Sequence, residues 1–341
     1  MKLNNKIIIT FMILTIIIIS GCTKSEIKKE PTEVTLQFKW VHATQFAGFY
    51  AASEKGFYET NGLNVIFKEN NPTLLLDPIE AVVNGDADFA VAEGSSVIEA
   101  IANGKEIIAI GTDYKITPVI IFSLKEKGIT EPKHLLGKTL KTSPTTHIPY
   151  QIMMKKLGLD SNEVVEVPKS SGRTEGANFI DDIIDGTFDS SEGYIVNQPL
   201  RMKRQGHDVN IIKPSDYGVR SYSDVIITKK STLNENRELV KKFLDASVKG
   251  WEYSVQFPEE VAIITANKYK KDGSDESILH ETELLKESIR LILGGDKKFL
   301  SMDENIWKTM INDLVEIKII DSTIEQNKIY DQSLLDEIYD E

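Results

Sequence analysis

Apolar and polar positions along this chain switch period many times. Val34 to Lys39 alternates as a strand does, Phe46, Phe49 and Tyr50 recur at helical spacing, and Asn61-Gly62 marks a turn before a second alternating stretch, Asn64 to Lys68. The unit then repeats. Pro78 to Asn84 predicts a helix closed by Gly85, Phe89 to Ala92 a short buried strand, Ser95 to Ala102 a helix closed by Gly104, and Ile107 to Ile110 another strand. Strand and helix in alternation imply a parallel sheet covered by helices.

A second cycle follows the strand Val119 to Ser123. It runs through strand Thr139 to Lys141, helix Pro149 to Leu157 stopped by Gly158, strand Val164 to Val167, helix Phe179 to Asp185, strand Tyr194 to Val196, helix Leu200 to Gln205 and strand Asn210 to Ile212. This predicts a second α/β lobe. After one more strand, Val225 to Thr228, the pattern becomes helical. Leu239, Val240, Phe243, Leu244, Val248 and Trp251 form an apolar stripe at spacings of three and four, and Pro258 with Glu259 and Glu260 has the position and charge of a helix start. Helices near Ser277 to Leu291 and Asp303 to Glu316 complete the body, and no repeat of 20 to 50 residues is visible.

The N-terminus has a different character. Lys2 and Lys6 precede an apolar run, Ile7 to Ile19, which ends in Ile19-Ser20-Gly21-Cys22. The run is shorter than the roughly 20 residues a spanning helix needs, and charge, short apolar core and small residues in that order form an export signal. Residues 23–32 are polar and Lys/Glu-rich, the composition of a flexible tether. The folded body is expected from residue 33 onward.

Composition narrows the function. The 341 residues suggest two domains or one large one, 41% are hydrophobic and 27% charged, and the formal charge is -12 with no basic stripe. Nucleic acid is an unsuitable partner for such a surface. Cys22 is the only cysteine, so no internal disulfide forms, and the five histidines stand in no paired metal-ligand spacing. Gly137-Lys138-Thr139 ends like a P-loop, but position 132, where the earlier glycine belongs, is Pro132. Gly-x-Ser-x-Gly, dinucleotide and His-Glu-x-x-His motifs are absent, and no metal or cofactor is expected.

From Phe38-Lys39-Trp40-Val41-His42-Ala43-Thr44-Gln45-Phe46-Ala47-Gly48-Phe49-Tyr50 through Gly56-Phe57-Tyr58, the chain resembles the opening of the SsuA/THI5-like (NMT1) family. The resemblance continues at Asn84-Gly85-Asp86-Ala87-Asp88-Phe89-Ala90-Val91, at Leu135-Leu136-Gly137-Lys138-Thr139-Leu140, and at Lys249-Gly250-Trp251-Glu252-Tyr253 with Phe257-Pro258. Tyr194-Ile195-Val196-Asn197-Gln198-Pro199 resembles the family's Asn-Glu-Pro segment, with Gln198 in place of Glu. Residues 33 to 270 are covered.

The resemblance implies an α/β, two-lobed periplasmic-binding-protein type II fold with a ligand between the lobes and a helical C-terminal portion packed on lobe one. Lobe one would comprise 33–124 and 225–341 and lobe two 125–224, with crossovers near Phe122 to Lys125 and Ser221 to Val225. It further implies a solute receptor of an ABC importer, a monomer working with a permease and, through it, an ATPase. The Ile-Ser-Gly-Cys end resembles a bacterial lipobox, which would remove residues 1–21 and anchor Cys22 by lipid on the extracytoplasmic face of the cell membrane. A thiamine-related pyrimidine precursor is the ligand implied first; riboflavin, alkanesulfonate, taurine and nitrate receptors share the fold. The resemblance also implies that eukaryotic family members are pyrimidine-precursor synthases with a cysteine-rich iron motif; this chain lacks that motif, so a binding protein rather than an enzyme is expected.

Open α/β sheets bind ligands beyond the carboxyl ends of their strands. Trp40, after the first strand, is the candidate for stacking on a flat ring, with Tyr114 as a second. Gln45 offers amide groups, and Phe46 and Tyr50 follow on the helix, where core packing is an equal reading. Glu93 and Ser95 stand between a buried strand and a helix; the carboxylate suits an amino-substituted ligand, and Ser95 either caps the helix or binds. In the second lobe the resemblance points to Ser143, Thr145 and His147, while Glu192, Tyr194 and Asn197 surround a later strand end. No arginine precedes Arg173, so a guanidinium clamp for an anion is disfavoured on the early loops.

Overall fold

The structure is a computed structural model and describes residues 30–70, 76–143, 146–168, 180–295 and 298–340. The segment expected to be an export signal, Cys22, Thr145 and Arg173 lie outside the described residues.

Among the described residues ten strands form: β1 (Thr32–Gln37), β2 (Leu63–Lys68), β3 (Phe89–Ala92), β4 (Ile107–Thr112), β5 (Val119–Leu124), β6 (Thr139–Thr142), β7 (Val165–Pro168), β8 (Ser190–Tyr194), β9 (Val209–Ile212) and β10 (Val225–Lys229). They make two five-stranded sheets, ordered β2-β1-β3-β10-β4 and β7-β6-β8-β5-β9. In each, one strand opposes its neighbours: β10 is antiparallel to β3 and β4, and β5 to β8 and β9. The all-parallel expectation is corrected here. Each opposed strand enters its sheet from the other lobe and needs no helical crossover to reverse direction.

The same pairing moves a boundary. β5 was expected to close lobe one, yet it lies inside the second sheet. The crossovers are therefore 113–118 and 213–224, and Phe122 to Lys125 belongs to lobe two. They are stitched together: Asp113 N donates to Asp224 O at 2.9 Å, Thr112 Oγ1 to the same carbonyl at 2.8 Å, and Thr117 Oγ1 meets Ser223 Oγ at 2.9 Å.

Alternation along the strands builds a core on both faces of each sheet. Phe89 and Val91 of β3 join Ile108, Ile110 and Ile226 on one face, while Ala90 and Ala92 join Ile107, Ala109 and Ile227 on the other. Ile121 and its neighbours Ile120 and Phe122 divide in the same way between two clusters of the second lobe. The apolar stripe of helix Arg237–Gln256 packs on helix Ala47–Glu54, with Trp251 and Phe243 fully buried. Gly48 and Gly250 make that approach possible, since a Cβ on Gly250 would stand 2.0 Å from the Gly48 carbonyl oxygen.

The strand expected at Tyr194 to Val196 lies at Ser190–Tyr194 instead. Its text, Ser-Ser-Glu-Gly-Tyr, is polar but buried, because Ser190 and Ser191 bond to carbonyls of Thr139 and Lys141 on β6. Among the described residues, no helix is long and apolar enough to cross a membrane.

Candidate ligand-binding cleft

β1, β3 and β4 end on the same edge of the first sheet, and β10, running the other way, begins there. The residues just beyond that edge are Lys39, Glu93, Asp113 and Asp224, all buried. Lys39 Nζ donates to Glu93 Oε2 at 3.5 Å and lies 3.4 Å from Asp224 Oδ1, and it also donates to the Ser223 carbonyl. From the second lobe, the last residue of β8 completes the group. The Tyr194 hydroxyl accepts from Lys39 Nζ at 2.8 Å and donates to Asp224 Oδ2 at 3.0 Å. Gln45 Nε2 donates to Asp224 Oδ1. The polar groups of the two lobes thus meet where β1, β3, β4 and β8 end and β10 begins.

Local sequence explains the placement. Glu93 follows a buried strand directly and precedes helix Gly94–Ala102, and Gly94 lets the second crossover touch that turn: its N–H donates to Tyr222 O at 3.0 Å, where a Cβ would come within 2.6 Å of the same oxygen. Ser95 makes no capping bond, and its hydroxyl, like Glu93 Oε1, is buried with no partner among the described residues. Burial, reinforced by Asp224 and opposed by Lys39, pushes Glu93 up to about 8. Burial and Asp224 also hold Asp113 well above the usual carboxyl range, against Lys39 and the Trp251 indole. Both Asp113 carboxyl oxygens and Trp251 Nε1 lack a hydrogen bond of standard geometry.

In the second lobe Glu192, fully buried on β8, organises the start of helix His147–Lys156. It accepts from Ser143 N at 2.8 Å, Thr146 Oγ1 at 3.0 Å and His147 Nδ1 at 2.8 Å, while His147 Nε2 stands 3.3 Å from Glu166 Oε2. Burial lowers the His147 pKa, but Glu192 and Glu166 outweigh it and the net shift is upward. Asn197 follows Tyr194 in the turn after β8, its Oδ1 buried without a partner among the described residues.

The sequence-level candidates therefore divide. Gln45, Glu93 and Tyr194 come together in one cluster, with Ser95 beside Glu93; Ser143, His147 and Glu192 form another. Phe46 and Tyr50 are fully buried in the aromatic core, Phe46 stacked 4.0 Å from Phe38 and Tyr50 4.0 Å from Tyr269. Tyr114 is also fully buried and donates to Ser288 Oγ at 3.0 Å. Trp40 is half-buried, three residues past the end of β1. Arg220 is exposed and donates to the Ser215 carbonyl.

Sequence reasoning missed Lys39, Asp113 and Asp224. Extending β1 through Lys39 hid a strand-end residue inside a strand, ending β4 at Ile110 hid Asp113, and a purely parallel sheet gave no reason to examine the start of β10.

The NMT1/THI5-like family model matches residues 43–261. A formylaminopyrimidine-binding protein of Halalkalibacterium halodurans is 25% identical over 312 residues, covering 88% of this chain and 91% of that protein. Riboflavin-binding protein RibY of Chloroflexus aurantiacus is 25% identical over 234 residues, covering 68% and 65%. A 4-amino-5-hydroxymethyl-2-methylpyrimidine phosphate synthase of Legionella pneumophila is 25% identical, covering 67% and 71%. Among solved structures, the ligand-binding component of an ABC-type import system from Staphylococcus aureus superposes with a TM-score of 0.65 at 12% identity, over 90% of this chain and 99% of that one, a likeness of fold.

Proposed function

Because this chain belongs to the NMT1/THI5-like family, we propose that it is the extracytoplasmic solute-binding component of an ABC importer, closing its lobes on a small planar heterocycle. A thiamine-related pyrimidine precursor is the ligand we favour. The observation that carries the reading is the meeting of Tyr194 of one lobe with Lys39 and Asp224 of the other. A ligand bound beside that contact touches both lobes and so favours the closed form, by the difference between its affinities for the two states.

The match to a formylaminopyrimidine-binding protein supports the pyrimidine, since it runs through 88% of the chain. RibY favours a flavin as second reading, over 68%. The relatives named as synthases favour an enzyme, but they cover less of the chain, and with Cys22 as its only cysteine the sequence has no cysteine-rich iron motif. In the same reading, lipid on Cys22 holds the protein near its permease.

Native mass spectrometry of untagged protein, followed by calorimetric titration with 4-amino-5-hydroxymethyl-2-methylpyrimidine and with riboflavin, tests it. The expected result is saturable binding of the pyrimidine in preference to the flavin. Tight riboflavin binding selects the second reading; neither compound binding, with no small molecule retained, refutes both.

A further inference from the structure

Lys39 stands at the centre of the cleft cluster. Its ammonium has three protons and faces four acceptors: Glu93 Oε2, Asp224 Oδ1, the Ser223 carbonyl and the Tyr194 hydroxyl. Glu93 and Asp224 belong to the first lobe and its crossover, Ser223 to the same crossover, and Tyr194 to the second lobe. The side chain is buried. An ammonium so placed supplies from within the chain the positive charge that two buried carboxyl groups would otherwise take from a ligand.

We propose that Lys39 is a binding and selectivity residue of the cleft: its ammonium fills the cation position between Glu93 and Asp224, so the ligand accepted there is neutral, and its bond to Tyr194 fastens the two lobes. The ligand's class rests on the binding-protein reading above; the fastening does not.

The surroundings agree with a neutral ligand. Burial disfavours the charged form of both neighbouring carboxyl groups, pushing Glu93 up to about 8 and Asp113 above the usual carboxyl range. Glu93 Oε1 and Ser95 Oγ remain as buried polar atoms that no described residue satisfies, and each can donate or accept toward an uncharged heterocycle. A cationic ligand would have to displace Lys39 and lose its own hydration in addition.

The test compares wild type, Lys39→Met and the double variant Lys39→Met/Asp224→Asn, which removes the carboxylate that the first change strands. Small-angle scattering of each ligand-free protein reads the fastening. Titration with neutral 4-amino-5-hydroxymethyl-2-methylpyrimidine and with thiamine, a permanent cation, reads the selectivity. Wild type should have the radius of gyration calculated from the structure and prefer the pyrimidine. Lys39→Met should be more expanded and shift its preference toward thiamine by about tenfold or more, whereas the double variant, also expanded, should regain no preference for the cation. A lowered melting temperature with unchanged preference and unchanged radius would make Lys39 merely structural and overturn the proposal. If wild type binds neither probe, the pyrimidine reading fails, while scattering still decides whether Lys39 fastens the lobes.

Discussion

Arg204 of the second lobe donates to Nδ1 of His280, 2.6 Å away on helix Asp275–Leu293 of the first, and the same guanidinium pairs with Glu283. Elsewhere Lys156 and Asp313 join the lobes at 2.6 Å, from helices His147–Lys156 and Glu304–Glu316. Closure thus has fastenings apart from the strand-end cluster. Arg204→Met should expand the ligand-free protein and weaken apparent ligand affinity several-fold, because the competent form is less populated. Scattering and calorimetry on the variant check this; unchanged values in both would leave the contact without weight in closure.

The same pair makes stability acid-sensitive. Burial lowers the His280 pKa to about 4, with Arg204, Lys270 and Arg201 adding to the effect and Glu281 opposing it. Unfolded, the imidazole titrates near 6.5, so as pH falls from there toward 4 the unfolded chain binds a proton that the folded one refuses. Stability present above about pH 6.5 is lost across that window, on the order of 3 kcal/mol if the whole shift is realised. Denaturation midpoints of His280→Asn should fall less steeply than wild type between these pH values. Parallel curves would show that His280 does not govern the acid limb.

Much of this architecture is legible in the sequence because buried strands and their flanking helices carry strong local signals. Pro78–Asn84 and Phe89–Ala92 fall where periodicity puts them, since Asp77, Pro78 and Gly85 punctuate the helix and four apolar residues fill the strand. The sequence pattern misplaces β8 because its buried positions are serines, bonded to a strand some fifty residues away, and a glutamate that accepts from Ser143, Thr146 and His147 just past that strand. No local pattern carries that information. The site follows the same division: Glu93 is visible beside a clear strand end, while Asp224 gains its meaning only from the antiparallel entry of β10.

Glu192 offers a direct test of the second cluster. Replacing it with Gln removes the charge that accepts from Ser143, Thr146 and His147. Burial alone lowers a histidine, so without Glu192 the raised His147 pKa should fall. In wild type the raised value means stability fully present below the unfolded pKa and lost as pH rises through the folded one. Titration of the His147 ring resonances by NMR in both proteins measures the change; an unmoved pKa would assign the shift to Glu166.

Lipid anchoring is proposed from Ile19-Ser20-Gly21-Cys22 at the end of the apolar run. A diacylated cysteine would hold the protein stably, since each buried CH₂ contributes about 0.8 kcal/mol and two chains suffice where one does not. Cys22→Ser should move the protein into the soluble or unprocessed pool on membrane fractionation. Processing and membrane retention unchanged by the substitution would end the lipobox reading.

Trp40 bears most on the ligand's shape. It follows Lys39 on the same loop, half-buried against the aromatic core, and Asn70 N donates to its carbonyl oxygen at 3.0 Å. If its indole stacks on a planar pyrimidine, Trp40→Ala should weaken binding of 4-amino-5-hydroxymethyl-2-methylpyrimidine by about 1 to 3 kcal/mol, the range for a base on an aromatic side chain. The ligand-free melting temperature should then change little. An indole whose work is packing gives the opposite result, because truncating a buried Trp costs about 3 to 5 kcal/mol of stability. Titration beside a ligand-free melting curve separates the two, with Trp251→Ala, fully buried under Gly48, as the reference for a packing loss. Wild-type affinity in Trp40→Ala, or a stability loss matching that of Trp251→Ala, would take Trp40 out of the site and leave the polar cluster around Lys39 to select the ligand without a stacking platform.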